Sequence, residues 1–237
     1  MRKSGILMHI TSLPSKYGIG TLGKEAYNFA DFLSKCGQKL WQMLPIGPTS
    51  YGDSPYQSFS SFAGNPLLID LEMLIEEGLL TEEECDAVDF GDGKVVDYEK
   101  QFLGKYDLLK IAFSRFDRDS KFREFCDKEA FWLNDYALFM KLKYENEQKS
   151  WYLWDKALVD REPSAIDAAV WSNAEEIEYW KFIQYVFETQ YTALKEYVNS
   201  LEIEIIGDLP IYTALDSADV WSNPDVFWLD EDKKPVA

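Results

Sequence analysis

The chain has 237 residues and is 46% hydrophobic, enough to build one large or two small packed cores, which excludes a disordered polymer. Its 42 acidic residues against 24 basic ones give a net charge of -18, a sign that repels phosphate backbones and anionic lipid, so nucleic acid and membrane are excluded as partners. No apolar stretch approaches the roughly 18 residues of a membrane span, and Cys36, Cys85 and Cys126 are odd in number and widely spaced, the pattern of structural thiols in a reducing cytoplasm.

In chain order, GILMHI at 5–10 is a short apolar run closed by Thr11, Ser12 and Pro14, and reads as a buried strand. A glycine-rich loop follows, and then Ala26, Phe29, Ala30, Leu33 and Cys36 recur at helical spacing before Gly37, placed as a left-handed cap. KLWQMLPI at 39–46 repeats the strand pattern, with Pro45 ending its ladder. The minimal reading is two parallel strands joined by a helix. A third strand of the same character, EIEIIGDLPIY, comes only at 202–212, much too far for an ordinary crossover, so something is inserted. Helical pattern fills the gap. It runs through Leu71 to Glu77, a Thr81/Glu84 capping box, a stripe at Phe102, Tyr106, Leu109, Phe113 and Phe116, and a segment around Asp127 to Tyr144. A last helix from an Asn173 cap through Tyr197 leads into the third strand. The expected division is 1–66 for the first strands and their loop, 67–172 for a helical insertion, and 173–237 for a helix, the third strand and its loop.

Strand, loop and helix units with long loops after the strands suit a (β/α) barrel, whose ligands gather at the carboxyl ends of the strands. The loop after the second strand, YGDSPYQSFSSFAGNP at 51–66, packs four rings among hydroxyl, amide and carboxylate groups with no helical or strand period. Rings cover flat C–H faces while Asp53, Gln57 and Asn65 satisfy hydroxyls, which is the chemistry of a sugar site. Phe59 and Phe62 read as core rings anchoring the loop, and Tyr51 and Tyr56 as candidates for contact with ligand. Asp208 sits where the third strand runs out, a position that commonly faces a barrel site, although an Asp before Leu-Pro can also brace its own loop. Asp216 and Asp219 read as solvated or capping, and His9, the only histidine, as a ligand-bonding or a structural imidazole. With one histidine there is no metal constellation, and G-x-S-x-G is absent. GIGTLG at 18–23 has its glycines misplaced for a dinucleotide fingerprint.

Three segments, HITSLPSKYGIGTLG, WQMLPIGPTSYGDSPYQSFSSFAGNP and IIGDLPIYTALDSADVWSNPDVFWLD, in this order and separation, resemble the amylomaltases, bacterial 4-α-glucanotransferases of glycoside hydrolase family 77. The resemblance implies an α/β fold, the N-terminal part of an amylase-like (β/α)8 TIM barrel with a large helical insertion. It implies transfer of α-1,4-glucan segments between maltooligosaccharides, with glucose as acceptor, by a retaining double displacement and without metal or organic cofactor. The nucleophilic Asp, the acid/base Glu and an orienting Asp of such enzymes come from later strands, and their motifs do not occur here. The chain is therefore expected to be the N-terminal half of a longer enzyme, inactive alone, with the C-terminal half of the barrel as its partner. A non-catalytic or truncated glucan-binding domain is the competing reading. By resemblance Tyr56 packs against the sugar at the cleavage subsite and Asp208 is the Asp of the amylase-type first conserved region. Asp53, Ser54 and Gln57 complete the same loop, His9 borders the pocket, and Tyr51 belongs to a second, remote glucan groove. Trp221, Asn223 and Pro224 match a segment near the mouth without individual roles.

Overall fold

The structure is a computed structural model that describes residues 2–49 and 52–236. In chain order it contains β1 (Gly5–Leu7), α1 (Lys24–Lys35), β2 (Leu40–Gln42), α2 (Leu71–Glu76), α3 (Glu82–Asp86), α4 (Tyr98–Arg115), α5 (Ser120–Lys128), α6 (Ala130–Glu145), α7 (Lys156–Val159), α8 (Pro163–Ser172), α9 (Ala174–Ser200), β3 (Glu204–Ile206) and α10 (Ala218–Ser222). The chain forms two compact units from alternating stretches: residues up to 46, 64–117 and 185–209 make the first, and residues 47–63, 118–184 and 210 onward the second. No described helix is long and apolar enough to cross a membrane.

The first unit holds a parallel sheet in the order β1, β2, β3, in the register Leu7, Gln42, Ile206. Each strand is shorter than its apolar run suggests. Beyond the named residues single bonds continue the ladder, Lys39 N–H to Ser4 and Glu204 N–H to Lys39 (both 2.9 Å) at one end, and Met8 N–H to Gln42 (2.9 Å) and Met43 N–H to Ile206 (3.0 Å) at the other. Past them Ile10–Ser12 winds into a 3-10 turn, which withdraws the rest of the first run from pairing. Trp41, at the centre of β2, is fully buried, meets Phe29 of α1 edge-on at 5.0 Å, and donates its indole N–H to the Met8 carbonyl at 2.7 Å. Helix α1 buries Ala26, Ala30 and Leu33, one stripe at helical spacing. It ends in a Schellman motif, in which Gly37 at φ 70 lets its own N–H reach Ser34 and the N–H of Gln38 reach Leu33, both at 2.9 Å. The later part of α9 lies against α1, where the Tyr197 hydroxyl donates to Asp31 at 2.6 Å.

Asp70 is the polar hub of this unit. Its carboxylate caps α2 by accepting from Met73 N–H (2.9 Å) and takes the Thr21 hydroxyl at 2.5 Å, while its backbone N–H and carbonyl both bond the Gln190 amide. Gly23 passes so close that any side chain there would strike this carboxylate. The fully buried Lys105 ammonium holds the same segment by donating to the Leu67 and Ile69 carbonyls, each at 2.8 Å.

The second unit is built around α6. Leu133, Tyr136–Met140, Leu142 and Lys143 are all buried, so the middle of α6 is covered on every side, while Phe131 and Asn134 near its start stay exposed. Phe139, Trp154 and Trp221 form a ring cluster with centroids 5.5 to 6.0 Å apart. Three of the unit's buried indoles find a carbonyl: Trp151 bonds Leu215, Trp154 bonds Lys149 and Trp221 bonds Leu158. The helical segment read around 127–144 is α6 preceded by the last two residues of α5, because Glu129 ends α5 and starts α6 while its side chain accepts from the Trp132 indole at 2.8 Å. Cys85 is buried and Cys126 half-buried, but Cys36 caps α1 in solvent and is no core thiol.

Candidate functional site

The ring-bearing loop belongs to the second unit as far as Ala63 and divides there into a presented tip and an anchored base; Asn65, beyond it in the first unit, is buried and caps the 3-10 turn Pro66–Leu68 by accepting from Leu67 N–H, so it is no hydroxyl-binding amide. At the tip, Gly52 (φ 81) and Asp53 (φ 55) both occupy the left-handed region, which turns the chain sharply outward. The Ser54 hydroxyl accepts from Tyr56 N–H at 3.3 Å and the Ser54 carbonyl from Gln57 N–H at 3.2 Å, closing a compact turn. Asp53, Tyr56 and Gln57 are exposed on it, Tyr56 at 45% of its surface, and Ser54 is half-buried at its root. A ring, a carboxylate and an amide thus share one short outward turn. Tyr51 lies outside the described residues.

The base is locked. An antiparallel bridge between Thr49 and Ser58 closes the turn. The Ser58 hydroxyl donates to the Ser60 carbonyl at 2.7 Å, and buried Ser60 accepts from Phe62 and Ala63 N–H groups. Phe59 is half-buried against Phe139 at 6.2 Å, with the Lys143 ammonium 5.0 Å above its ring. Phe62 departs from the expected core ring: it is 56% exposed, stacked on Trp132 at 6.1 Å with Phe131 edge-on.

Asp216 and Asp219 are not the solvated or merely capping groups expected of a polar loop. Asp216 accepts from Lys143 (2.6 Å), from the Ser150 hydroxyl (3.2 Å) and from Trp151 N–H (3.3 Å). Asp219 accepts from the N–H and hydroxyl of Ser61 at 2.7 and 3.1 Å, and burial pushes its pKa up despite these donors. The reason is sequence distance, since their partners stand 65 to 158 residues away. A lysine inside the apolar run YALFMKLKYE was the one local signal of such a network.

His9 and Asp208 belong to the first unit, each two residues past the last paired residue of β1 and β3. Since both strands pair in parallel with β2, the two residues leave the same carboxyl end of the sheet, from the strands on either side of β2. Asp208 is half-buried. Burial lowers the His9 pKa, keeping the imidazole neutral, and its buried Nδ1 has no hydrogen-bond partner among the described residues. A neutral imidazole with an uncommitted ring nitrogen can accept from or donate to a hydroxyl. Among the described residues no group of three His, Cys, Asp or Glu side chains is placed to hold a metal ion.

The family model described as 4-alpha-glucanotransferase matches residues 8–234. The chain belongs to the 4-alpha-glucanotransferase family. The 4-alpha-glucanotransferase of Clostridium butyricum is 50% identical over 95% of this chain, and that of Thermus thermophilus 46% identical over 99%. The chain spans about half the length of these relatives, 47% of each. Among solved structures, the amylomaltase from Streptococcus agalactiae in complex with acarbose matches with a TM-score of 0.96 and 44% identity, over all of this chain and 49% of that one. Trp221 is a core residue, wholly buried beneath Arg161 at 4.2 Å, rather than a side chain open to ligand. Asn223 ends α10 through its N–H to Asp219 at 3.1 Å, and Pro224 opens the 3-10 turn Pro224–Val226.

Proposed function

We propose that this chain supplies one wall of an α-1,4-glucan cleft in a 4-α-glucanotransferase that moves maltooligosaccharide segments to glucose or to another glucan by a retaining double displacement. In this reading β1, β2 and β3 are the first strands of an amylase-like (β/α)8 barrel, residues 67–172 its helical insertion, and 173–237 the helix, third strand and mouth loop. Tyr56 covers a sugar face while Asp53, Ser54 and Gln57 bond hydroxyls around it. Asp208 and His9 serve the sugar from the strand ends. Tyr51 contributes to a second glucan groove. A retaining displacement needs a nucleophilic and an acid/base carboxyl about 5 to 5.5 Å apart, and two carboxyls suffice, so the reading requires no metal or organic cofactor. It assigns that pair to the half of the family's length that this chain does not span, which makes the C-terminal half of the barrel its partner. Free thiols throughout and an acidic surface suit the cytoplasm.

The observation that carries the proposal is the outward turn at Gly52 and Asp53, which places a tyrosine ring beside a carboxylate and an amide on an otherwise anchored loop. The test pairs turnover with binding on the 237-residue chain. Incubation with maltotriose is expected to release no glucose and redistribute no chain lengths, while titration with maltoheptaose perturbs intrinsic fluorescence saturably. Turnover by the chain alone contradicts the placement of the carboxylate pair, and the absence of saturable binding contradicts the glucan wall.

A further inference from the structure

The segment after β3 carries two aspartates three positions apart, and each grips a different element of the second unit. Asp216 is fastened to α6 and the turn after it through Lys143, Ser150 and Trp151, with the Leu215 carbonyl taking the Trp151 indole N–H at 2.7 Å. Lys143 is itself buried, spends its remaining donors on the Gln148 and Lys149 carbonyls, and presents its charge to the Phe59 ring. From the other side, Ala218 N–H donates to the Phe59 carbonyl at 2.8 Å and Asp219 takes both donors of Ser61. Phe59 is therefore held by its ring, beneath Lys143, and by its backbone, while Ser61 is held by a charge. Tyr56 stands three residues before Phe59, on the turn closed by the Ser54 bonds given above.

We propose that Asp216 and Asp219 form a two-point clamp on the base of the ring-bearing loop, and that Asp219 is a positioning residue fixing the turn that presents Tyr56 to a glucan. The physical basis is charge-assisted bonding in a shielded place. A half-buried carboxylate accepting two donors from one residue gives them one direction, and removing it leaves Ser61 N–H and hydroxyl to seek water. The loss falls on the loop, because α10 keeps its own cap from Ser217 and its buried Trp221. The second half of the proposal rests on the glucan reading above; the clamp does not.

Hydrogen exchange by mass spectrometry on the 237-residue chain and on Asp219→Ala and Asp219→Asn separates the two. In Asp219→Ala, segment 52–62 is expected to exchange at least about tenfold faster while α6 keeps its protection, and maltoheptaose affinity to fall by about tenfold or more. Asp219→Asn, which keeps one acceptor, is expected to lie between the parent and Asp219→Ala. Unchanged exchange in 52–62 overturns the clamp, and faster exchange spread equally over α6 overturns positioning in favour of general stability. If the parent chain takes up no maltoheptaose, the glucan reading falls while the exchange data still decide the clamp.

Discussion

Lys105 shows how a single residue can set a pH dependence. Complete burial pushes its pKa down to about 7 from an ordinary 10.5, and the neighbouring Asp70 and Cys85 only partly counter this. The folded chain thus sheds a proton that the unfolded chain keeps until about pH 10.5. The cost of the buried charge is fully present below about pH 7, and it is relieved as pH rises between about 7 and 10.5, where unfolding takes up a proton. Urea unfolding midpoints measured from pH 6.5 to 9.5 are therefore expected to rise, with a contribution approaching about 1.4 kcal/mol per pH unit at the steepest. Lys105→Met, which fills the space without a titrating group, is expected to flatten that slope. Parallel profiles for the two proteins contradict the account of Lys105. At the same scale, the tip residues Asp53, Tyr56 and Gln57 were legible in the sequence because turn chemistry is local: a Gly-Asp pair before Ser-Pro announces left-handed backbone and an outward loop. Asp216 and Asp219 were not, since a carboxylate in a polar stretch looks the same whether it meets water or a distant lysine.

At the scale of elements, α2 depends on one side chain. Asp70 is both its cap and the acceptor of the Thr21 hydroxyl, so Asp70→Ala removes a helix cap and strands a buried hydroxyl together. The expected loss is about 2 to 4 kcal/mol in urea unfolding, the sum of a cap near 1 kcal/mol and an unsatisfied donor of about 1 to 3. A loss below about 1 kcal/mol contradicts the hub. The helices were legible where a cap or terminator and a period coincided: Thr81 with Glu84 at α3, and the Gly37 terminator of α1, whereas the Asp70 cap of α2 was not read from the sequence. The capping box forms with both of its bonds, Glu84 N–H to Thr81 at 3.3 Å and Thr81 N–H to Glu84 at 2.9 Å, and Arg115 forks onto the same carboxylate, holding its pKa near about 2. Strand extent was not legible, because an apolar run records burial but not where a pairing partner stops. The break at Glu129 was hidden for a similar reason, since helix formers continue on both sides and the backbone turns without losing its bonds, Glu129 N–H reaching Phe125 and Leu133 N–H reaching Glu129.

For the molecule as a whole, two opposed quantities govern solution behaviour. The net charge of -18 repels copies of the chain from one another. Against it, β1 and β3 each pair on one side only among the described residues, and the face they share with β2 leaves Leu7 and Ile206 exposed at 56% and 40%. Unpaired apolar strand edges are templates for association. Raising salt shortens the screening length to about 3 Å at 1 M and weakens the repulsion while leaving the edges intact. The chain is thus expected to sediment as larger species at high salt than at low salt, and Leu7→Lys with Ile206→Lys to suppress the shift. A monomer at every salt concentration contradicts this balance. Which stretches make up each unit was invisible in the sequence, because the bonds that define them join residues as far apart as Asp70 and Gln190 or Ser61 and Asp219.

The glucan wall itself is tested most directly by backbone amide chemical shifts of the 237-residue chain during titration with maltoheptaose. The account predicts saturable shifts at Asp53, Tyr56, Gln57 and Asp208, with Tyr56→Ala weakening the binding at least about tenfold while the unfolding midpoint stays unchanged. Shifts confined to other surfaces, or equal affinity in Tyr56→Ala, would contradict it.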